Sequence, residues 1–169
     1  MIDEVAGGMD LYILDIEASG LDDESYPIEI AWCSIDGDDS FSTLVNPESA
    51  GGWEHWDHYA EEAIHGISRE ECCLDGENVV VTAQRAKALL LDHQVFTDAA
   101  YQDQFWLDRL FEAAGVSCAD RILQLDQAVP PTQRFNLAKS LAEMHRPHRA
   151  LSDCLLLRDL VRKLRATAN

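Results

Sequence analysis

The chain has 169 residues, of which 47% are hydrophobic and 26% charged, and this composition is typical of a folded protein and excludes intrinsic disorder. Its 31 acidic residues against 13 basic ones give a net charge of −18, which argues against broad electrostatic binding to duplex nucleic acid. The length suits a single domain over residues 1–169. Because there is neither an apolar run of ~18–20 residues nor a secretory signal pattern, we expect a cytoplasmic protein with no membrane partner.

Three strands are predicted in the first 45 residues. The segment 11–20 begins with residues that are apolar on both faces, which favours a central buried strand. The segments 28–35 and 41–45 follow, with an acidic turn between them, and short connections of this kind form an antiparallel meander. Asn46 and Pro47 end the third strand.

Helices and short strands alternate in the rest of the chain, which predicts a mixed α/β sheet of five strands with helices on its faces. The helices are predicted from apolar residues at helical spacing and from capping residues such as Ser68. The predicted helices cover residues 59–64, a short segment from residue 68, 77–91, 99–114, 132–144 with Thr132 as its cap, and a last segment after Pro147. The predicted strands of this region cover residues 95–97 and 121–125.

Five cysteines are present, and their odd number and spacing fit no zinc site of paired Cys-x-x-Cys units. We expect free thiols in a reducing compartment. Cys33 and Cys154 lie in apolar stretches, where cysteine packs as a small hydrophobic residue.

Four acidic residues stand where the apolar pattern calls for a hydrophobic one. Asp15 and Glu17 share one face at the carboxyl end of the first strand, where α/β sheets bind ligands. Asp103 and Asp153 extend the buried stripes of two helices, and a charge on a packed face is costly unless it is paired or bound to a metal. Since few basic residues are present to neutralise them, these carboxylates favour hard divalent cations such as Mg²⁺ or Mn²⁺ over zinc.

Each acid also has a purely structural interpretation. Acids at strand ends are often solvated, and Asp103 lies in the first turns of a helix, where the helix dipole favours acids. Asp153 could pair with Arg149, four residues earlier on the chain. His148 stands at the mouth of the last helix, from which an imidazole can reach toward Asp153, so it is a candidate general base.

Two segments that lie far apart in the chain form recognisable motifs. Residues 15–21 are Asp-Ile-Glu-Ala-Ser-Gly-Leu, and residues 148–153 are His-Arg-Ala-Leu-Ser-Asp. They resemble the first motif and the third motif, His-x-Ala-x-x-Asp, of the DEDDh 3′–5′ exonucleases, the DnaQ-like branch of the RNase H-like fold. Residues 26–30 resemble the second strand of that family. The resemblance covers nearly the whole chain and implies an RNase H-like sheet, with a three-stranded antiparallel meander plus parallel strands, flanked by helices.

The second motif departs from the family pattern of His-Asn, an aromatic residue and Asp. Here Asp98 stands near the Asn position, and one extra residue precedes Asp103. Asp98 is well placed as a helix cap, so we assign Asp103, which lies one turn ahead of Trp106, and keep Asp98 as the alternative. The resemblance implies two bound Mg²⁺ or Mn²⁺ ions, with Asp15, Glu17, Asp103 and Asp153 as metal ligands and His148 as the group that activates water.

The resemblance also implies a pocket for the terminal nucleotide, partly because residues 63–68 are similar to the segment that lines it in relatives. Trp56 and Tyr101 are candidates for stacking on a base, although both could pack in the core. Arg149, Arg134 and Lys139 are the basic candidates for phosphate contact. The residues expected at the pocket itself are Ala18, where the family has Thr, together with Gly20, Leu21, His65, Gly66 and Ile67.

The implied activity is hydrolysis of single-stranded nucleic acid from its 3′ end, with release of nucleoside monophosphates. The acidic composition favours RNA over DNA, although the motifs are shared by enzymes that act on either. A catalytically inactive nucleotide-binding or interaction module of the same fold is an alternative, and the complete set of four acids and His148 weighs against it. Several relatives dimerise, so the resemblance also allows a homodimer.

Overall fold

A mixed sheet of six strands lies at the centre of the structure, a computed structural model that describes residues 9–168. In sheet order β4-β3-β2-β1-β5-β6, the pairs β1–β2 and β2–β3 are antiparallel and the others are parallel. The predicted meander and mixed sheet are therefore confirmed. The strands are β1 (Leu11–Ala18), β2 (Pro27–Ser34), β3 (Ser40–Asn46), β4 (Glu77–Asn78), β5 (Gln94–Thr97) and β6 (Leu123–Gln124).

Helices cover both faces of this sheet. Within residues 9–168, none of them is both long enough and apolar enough to cross a lipid bilayer. A π-helical turn, Glu61–His65, directly follows the first helix, His58–Ala60. The helices are α1 (His58–Ala60), α2 (Arg69–Asp75), α3 (Val79–Asp92), α4 (Ala100–Ala114), α5 (Arg134–Glu143) and α6 (Ala150–Ala166).

The sixth strand is the main departure from the predicted architecture of five strands. Residues Glu77–Asn78, which the sequence predicts as the start of a helix, instead pair in parallel with Val45 and Asn46. The physical reason is the cap of α3, because the Asn78 side chain accepts a hydrogen bond from the Val80 N–H. The helix therefore begins at Val79, and the backbone before it stays extended beside the edge strand β3.

Two further boundaries differ from the sequence prediction. The predicted strand over residues 121–125 is reduced to Leu123–Gln124, and the predicted helix over 132–144 begins at Arg134. Thr132 does not cap that helix, because a 3₁₀ turn at Pro131–Gln133 precedes it and no side chain caps it. The predicted end of α4 is confirmed, since Gly115 adopts a left-handed conformation there with φ 63°.

The alternation of side chains along β1 separates two hydrophobic cores. Leu14 and Ile16 face α3 and α4, whereas Ile13 faces α6. Each fully buried large apolar side chain contributes about 1.5–3 kcal/mol to folding. Asp15 and Glu17 continue the face of Ile13, so carboxylates occupy that face toward the carboxyl end of the strand.

The cysteines belong to this packing. All five are free thiols, as predicted from their number and spacing. Cys33 and Cys154 are fully buried in the core beneath α6, where they pack as small hydrophobic side chains.

Candidate active site

Four carboxylates from three separate elements meet at the carboxyl end of β1. Asp15 and Glu17 come from β1 itself, Asp103 from the first turn of α4 and Asp153 from the first turn of α6. Their exposed fractions are only 7%, 8%, 3% and 1%, in that order. All four line one cavity of about 420 Å³. The structure thus brings together the four acids that the sequence singled out.

The sheet topology explains this convergence. Strands β1 and β5 run parallel, so their carboxyl ends reach the same edge of the sheet, where α/β proteins bind ligands. Helix α4 begins directly after β5, and α6 packs across β1 and β2. Both helices therefore start beside the cavity, and the positive ends of their dipoles favour negative charge in the first turn.

Burial and mutual repulsion raise the pKa values of these carboxyl groups. Burial is the largest cause for all four, and it raises the pKa of Glu17 to about 8 and that of Asp103 to about 7. The pKa of Asp15 lies well above its ordinary value because of burial and then the neighbouring charges of Asp103 and Glu17. Burial also raises the pKa of Asp153, against the opposing effect of Arg146. A cavity with so much unbalanced negative charge is suited to a cation.

The donor atoms of the cavity fit a divalent ion. Asp153 Oδ1 is buried and has no hydrogen-bond partner among the described residues, which is costly for a carboxylate oxygen unless a cation or a water molecule contacts it. Glu17, His148 and Asp153 each offer one ligand atom, and these atoms lie within 4.8 Å of one another. Two carboxylates and an imidazole at this spacing can hold a divalent ion, since carboxylates suit Mg²⁺ or Mn²⁺ and imidazole suits Zn²⁺.

His148 lies at the mouth of the cavity with an unusual backbone conformation. Its φ of 53° makes it the one non-glycine residue with a positive φ among residues 9–168. The left-handed region is sterically unfavourable for a residue with a β-carbon, and such strain is retained where the surrounding structure imposes it, often at functional sites. The conformation places the exposed imidazole beside Glu17 and Asp153.

The segment next to His148 is tied to the sheet by Glu29, a residue that the sequence analysis missed. The Arg149 guanidinium donates to Glu29 at 2.9 and 3.2 Å, and the Ala150 N–H donates to the same carboxylate at 2.9 Å. Arg149 does not line the cavity, so the structure supports neither the predicted phosphate contact nor the alternative pairing with Asp153. A buried acid in a strand was the available sequence signal for Glu29.

Asp98 and Arg146 form an ion pair at the cavity wall, and this pair was also missed. The suggestion that Asp98 caps α4 is wrong, because Ala99 holds the cap position and the Asp98 carboxylate binds the Arg146 guanidinium. Arg146 Nη1 also lies 3.8 Å from Asp15 Oδ1. Asp103 accepts a hydrogen bond from the Thr97 hydroxyl, deep in the same cavity.

One wall of the cavity comes from loops and carries apolar side chains. Of the residues expected there, Ala18, Gly20, Leu21 and His65 line the cavity. Leu21 is 81% exposed at its edge. Ile64, which belongs to the predicted segment 63–68, lines it too, and three further residues of the wall were not predicted, since no sequence periodicity marks them: Asp57, Tyr59 and Ala60.

Four other candidates for nucleotide binding lie outside the cavity lining. Ile67 is buried in the core, and Gly66 ends the preceding turn in a left-handed conformation with φ 68°. The Trp56 indole N–H donates to Glu61 at 2.6 Å, and its ring packs edge-on against His65. Tyr101 is 91% exposed and borders a different, shallow cavity.

A chain of polar side chains fixes the loop that carries Gly20. His55 Nδ1 lies 3.3 Å from Ser19 Oγ, and its Nε2 lies 2.6 Å from Asp22 Oδ2. The Asp57 N–H donates to the Ser19 carbonyl at 2.8 Å. These contacts join the loop after β1 to the segment before α1, so the two loop portions of the cavity wall are held together.

Comparison with known proteins gives a structural match without a sequence match. No protein-family model matches the chain, and no curated protein matches it significantly. An E. coli exonuclease I–single-stranded DNA complex with bound zinc superposes with a TM-score of 0.71 at 17% identity, covering 96% of this chain and 41% of that one. An apo exonuclease I structure gives 0.72 at 15% identity, covering 96% and 43%. E. coli exonuclease I with a dA16 oligonucleotide gives 0.70 at 16% identity, covering 95% and 42%.

The chain spans about two fifths of the length of these exonuclease I structures. Within that part, the match extends over nearly all of this chain. The mixed α/β sheet flanked by helices therefore has the exonuclease I fold, as the resemblance to the DnaQ-like, RNase H-like exonucleases implied.

Proposed function

We propose that this chain is a metal-dependent 3′–5′ exonuclease of the DEDDh type, which hydrolyses single-stranded nucleic acid and releases nucleoside monophosphates. The observation that carries the proposal is the convergence of four buried, mutually repelling carboxylates beside His148 in one cavity. The fold shared with exonuclease I supports it, and several of those structures are complexes with single-stranded DNA.

The proposed chemistry assigns a role to each group in the cavity. The four carboxylates would hold two divalent ions, Mg²⁺ or Mn²⁺, which when bound supply Lewis acidity to the attacking water and to the leaving 3′ oxygen. His148, exposed at the cavity mouth, accepts the proton of the attacking water. The apolar edge that includes Leu21 and Tyr59 packs against the terminal nucleoside, while the absence of a side chain at Gly20 lets the loop after β1 lie close to His55 and shapes this wall.

Single-stranded DNA and RNA are the two substrate classes to compare. The neighbouring exonuclease I structures contain DNA oligonucleotides, which favours DNA, whereas the acidic composition does not discriminate, because RNA and DNA carry the same charge per nucleotide. Digestion of matched RNA and DNA oligonucleotides of one sequence decides between them. One neighbour is a zinc-bound form, so Zn²⁺ is included beside Mg²⁺ and Mn²⁺ in that assay.

A nucleotide-binding module without catalysis is the second candidate, because Arg146 partly neutralises the cavity beside Asp15. It predicts that a nucleoside monophosphate raises the melting temperature of the protein while no oligonucleotide is digested. A homodimer stays a prediction from the resemblance, and sedimentation equilibrium tests it.

The central experiment replaces Asp15 with Asn. Asp15→Asn is expected to abolish metal-dependent shortening of an oligonucleotide, followed through a 5′ label so that 3′ trimming gives a ladder. Asp159→Asn, on the solvent side of α6, is the matched control, and circular dichroism confirms that both variants fold. Full activity of the wild type in EDTA, or of Asp15→Asn in Mn²⁺, would overturn the proposed function.

A further inference from the structure

Arg146 is the single Lys or Arg among the described residues that line the cavity. Its guanidinium pairs with Asp98, and its Nη1 lies 3.8 Å from Asp15 Oδ1. The side chain is only 17% exposed, and the loop that carries it joins α5 to α6. A permanent positive charge therefore lies in the same cavity as the four carboxylates.

This charge acts on three of the four acids in the cavity. Arg146 opposes the rise in the pKa values of Glu17, Asp103 and Asp153. It therefore performs, in part, the neutralisation that a divalent ion would complete. A divalent ion held by Asp15 would be repelled by the guanidinium and would compete with it for the same carboxylate, so binding of the ion would oppose the contact between Arg146 and Asp15.

Two of the other basic candidates for phosphate contact are engaged elsewhere, and the third, Lys139, is exposed on α5 and does not line the cavity. Glu29 binds Arg149, and the Arg134 Nε–H donates to the Asp126 carbonyl at 3.1 Å. A phosphodiester that enters the cavity therefore meets Arg146 as its one permanently charged cation among the described lining residues. A guanidinium has five N–H donors, so it can keep its bond to Asp98 while it offers others to a phosphate.

We propose that Arg146 is a resident cation that competes with one divalent ion for Asp15 and, when that contact is released, binds the substrate phosphate, with Asp98 as its anchor in both states. The inference rests on the proposed function. According to this inference, Arg146 weakens metal binding and strengthens substrate binding.

The test measures Mn²⁺ affinity without substrate, by electron paramagnetic resonance of free Mn²⁺, and hydrolysis separately. Arg146→Gln keeps a hydrogen-bond donor for Asp98 and removes the charge, so Mn²⁺ is expected to bind about five- to tenfold tighter. At saturating Mn²⁺, kcat/KM on a single-stranded oligonucleotide is expected to fall about 10- to 100-fold because the phosphate contact is lost. Arg146→Lys keeps the charge, and its Mn²⁺ affinity should stay near that of the wild type.

Arg121→Gln is the matched control, since it removes one positive charge from a solvent-exposed pair with Asp108 outside the cavity. It should change neither the Mn²⁺ affinity nor kcat/KM.

Two results would overturn this inference alone, provided that the wild type binds Mn²⁺ and digests the oligonucleotide. One is unchanged or weaker Mn²⁺ binding by Arg146→Gln, and the other is an undiminished kcat/KM of that variant. A wild type that neither binds Mn²⁺ nor digests the oligonucleotide overturns the proposed function itself. Melting temperatures in EDTA and in Mn²⁺ confirm that each variant is folded.

Discussion

Glu29 of β2 binds Arg149 through both carboxylate oxygens and also accepts the N–H of Ala150, the first residue of α6. Helix α6 has no side-chain cap of its own, so this buried acid from the sheet serves as one. His148 directly precedes Arg149 and has the left-handed backbone conformation. The ion pair between Glu29 and Arg149 therefore fixes the position of the His148 imidazole beside the carboxylates of the cavity.

Replacing Glu29 with Gln should impair catalysis through the position of His148. Glutamine keeps one acceptor but loses the charge, so the start of α6 loosens and stability is expected to fall by about 1–3 kcal/mol. We expect kcat to fall about tenfold or more, whereas Mn²⁺ affinity stays near that of the wild type. Steady-state kinetics and Mn²⁺ titration check this prediction. A loss of metal binding equal to the loss of kcat would show that Glu29 acts on the metal ligands instead.

The stability of the metal-free protein should depend on pH in an unusual direction. The pKa of Glu17 rises from 4.5 to about 8 and that of Asp103 from 3.8 to about 7, so the folded state binds more protons than the unfolded state between these limits. Stability from these groups is thus present in acid and is lost as the pH rises through the folded-state values. The melting temperature in EDTA should fall as the pH rises from about 4.5 to about 8.

A divalent ion should reverse this loss, because it replaces the protons on the carboxylates. The increase in melting temperature on adding Mg²⁺ should therefore be larger at the alkaline end of this pH range than at its acidic end. Glu17→Gln, which cannot ionise, should flatten the pH dependence in EDTA. A metal-free melting temperature that rises steadily with pH would contradict the burial of these acids.

The choice between Asp103 and Asp98 in the second motif can be tested by a pair of identical substitutions. Asp103 is 3% exposed and close to the other acids, whereas the Asp98 carboxylate is engaged by Arg146. Asp103→Asn should abolish turnover, about 10³-fold or more, and weaken Mn²⁺ binding. Asp98→Asn should leave measurable turnover. The opposite order in oligonucleotide digestion would assign the ligand to Asp98.

Gly20 should be required for a well-shaped nucleotide pocket. A β-carbon added there would lie 2.7 Å from His55 Cε1 and 3.2 Å from Asp57 Cβ, so Gly20→Ala pushes the two loops apart. We expect KM for an oligonucleotide to rise about three- to tenfold with a smaller change in kcat. Gly52→Ala is the control, since a β-carbon there meets no atom within 4 Å. Equal effects of the two substitutions would exclude the contact with His55 as the cause.

Local patterns account for the parts of the fold that the sequence predicts correctly. The run of apolar residues in β1, the acidic turn between β2 and β3, and the helical stripe of α6 depend on neighbours within a few residues. The boundaries that were missed depend on partners elsewhere. Glu77–Asn78 becomes a strand only because the edge of β3 is beside it.

The same distinction holds at the candidate site. The four acids were visible because each interrupts an apolar pattern, and the structure places all four in one cavity. The roles expected for Arg149 and Asp98 were not supported, because their partners lie far away in the chain. Arg149 and Glu29 are 120 residues apart, and Arg146 and Asp98 are 48 apart.

The sequence by itself determined the order of the helices and of every strand except β4, and it marked the acidic residues that interrupt an apolar pattern, because side-chain periodicity is a local property. Only the tertiary structure decided which cation neutralises which acid, since any of the 13 basic residues could pair with any of the 31 acidic ones. That choice depends on distances through space, and it leaves Arg146 inside the cavity while Arg149 is held by Glu29 at its margin.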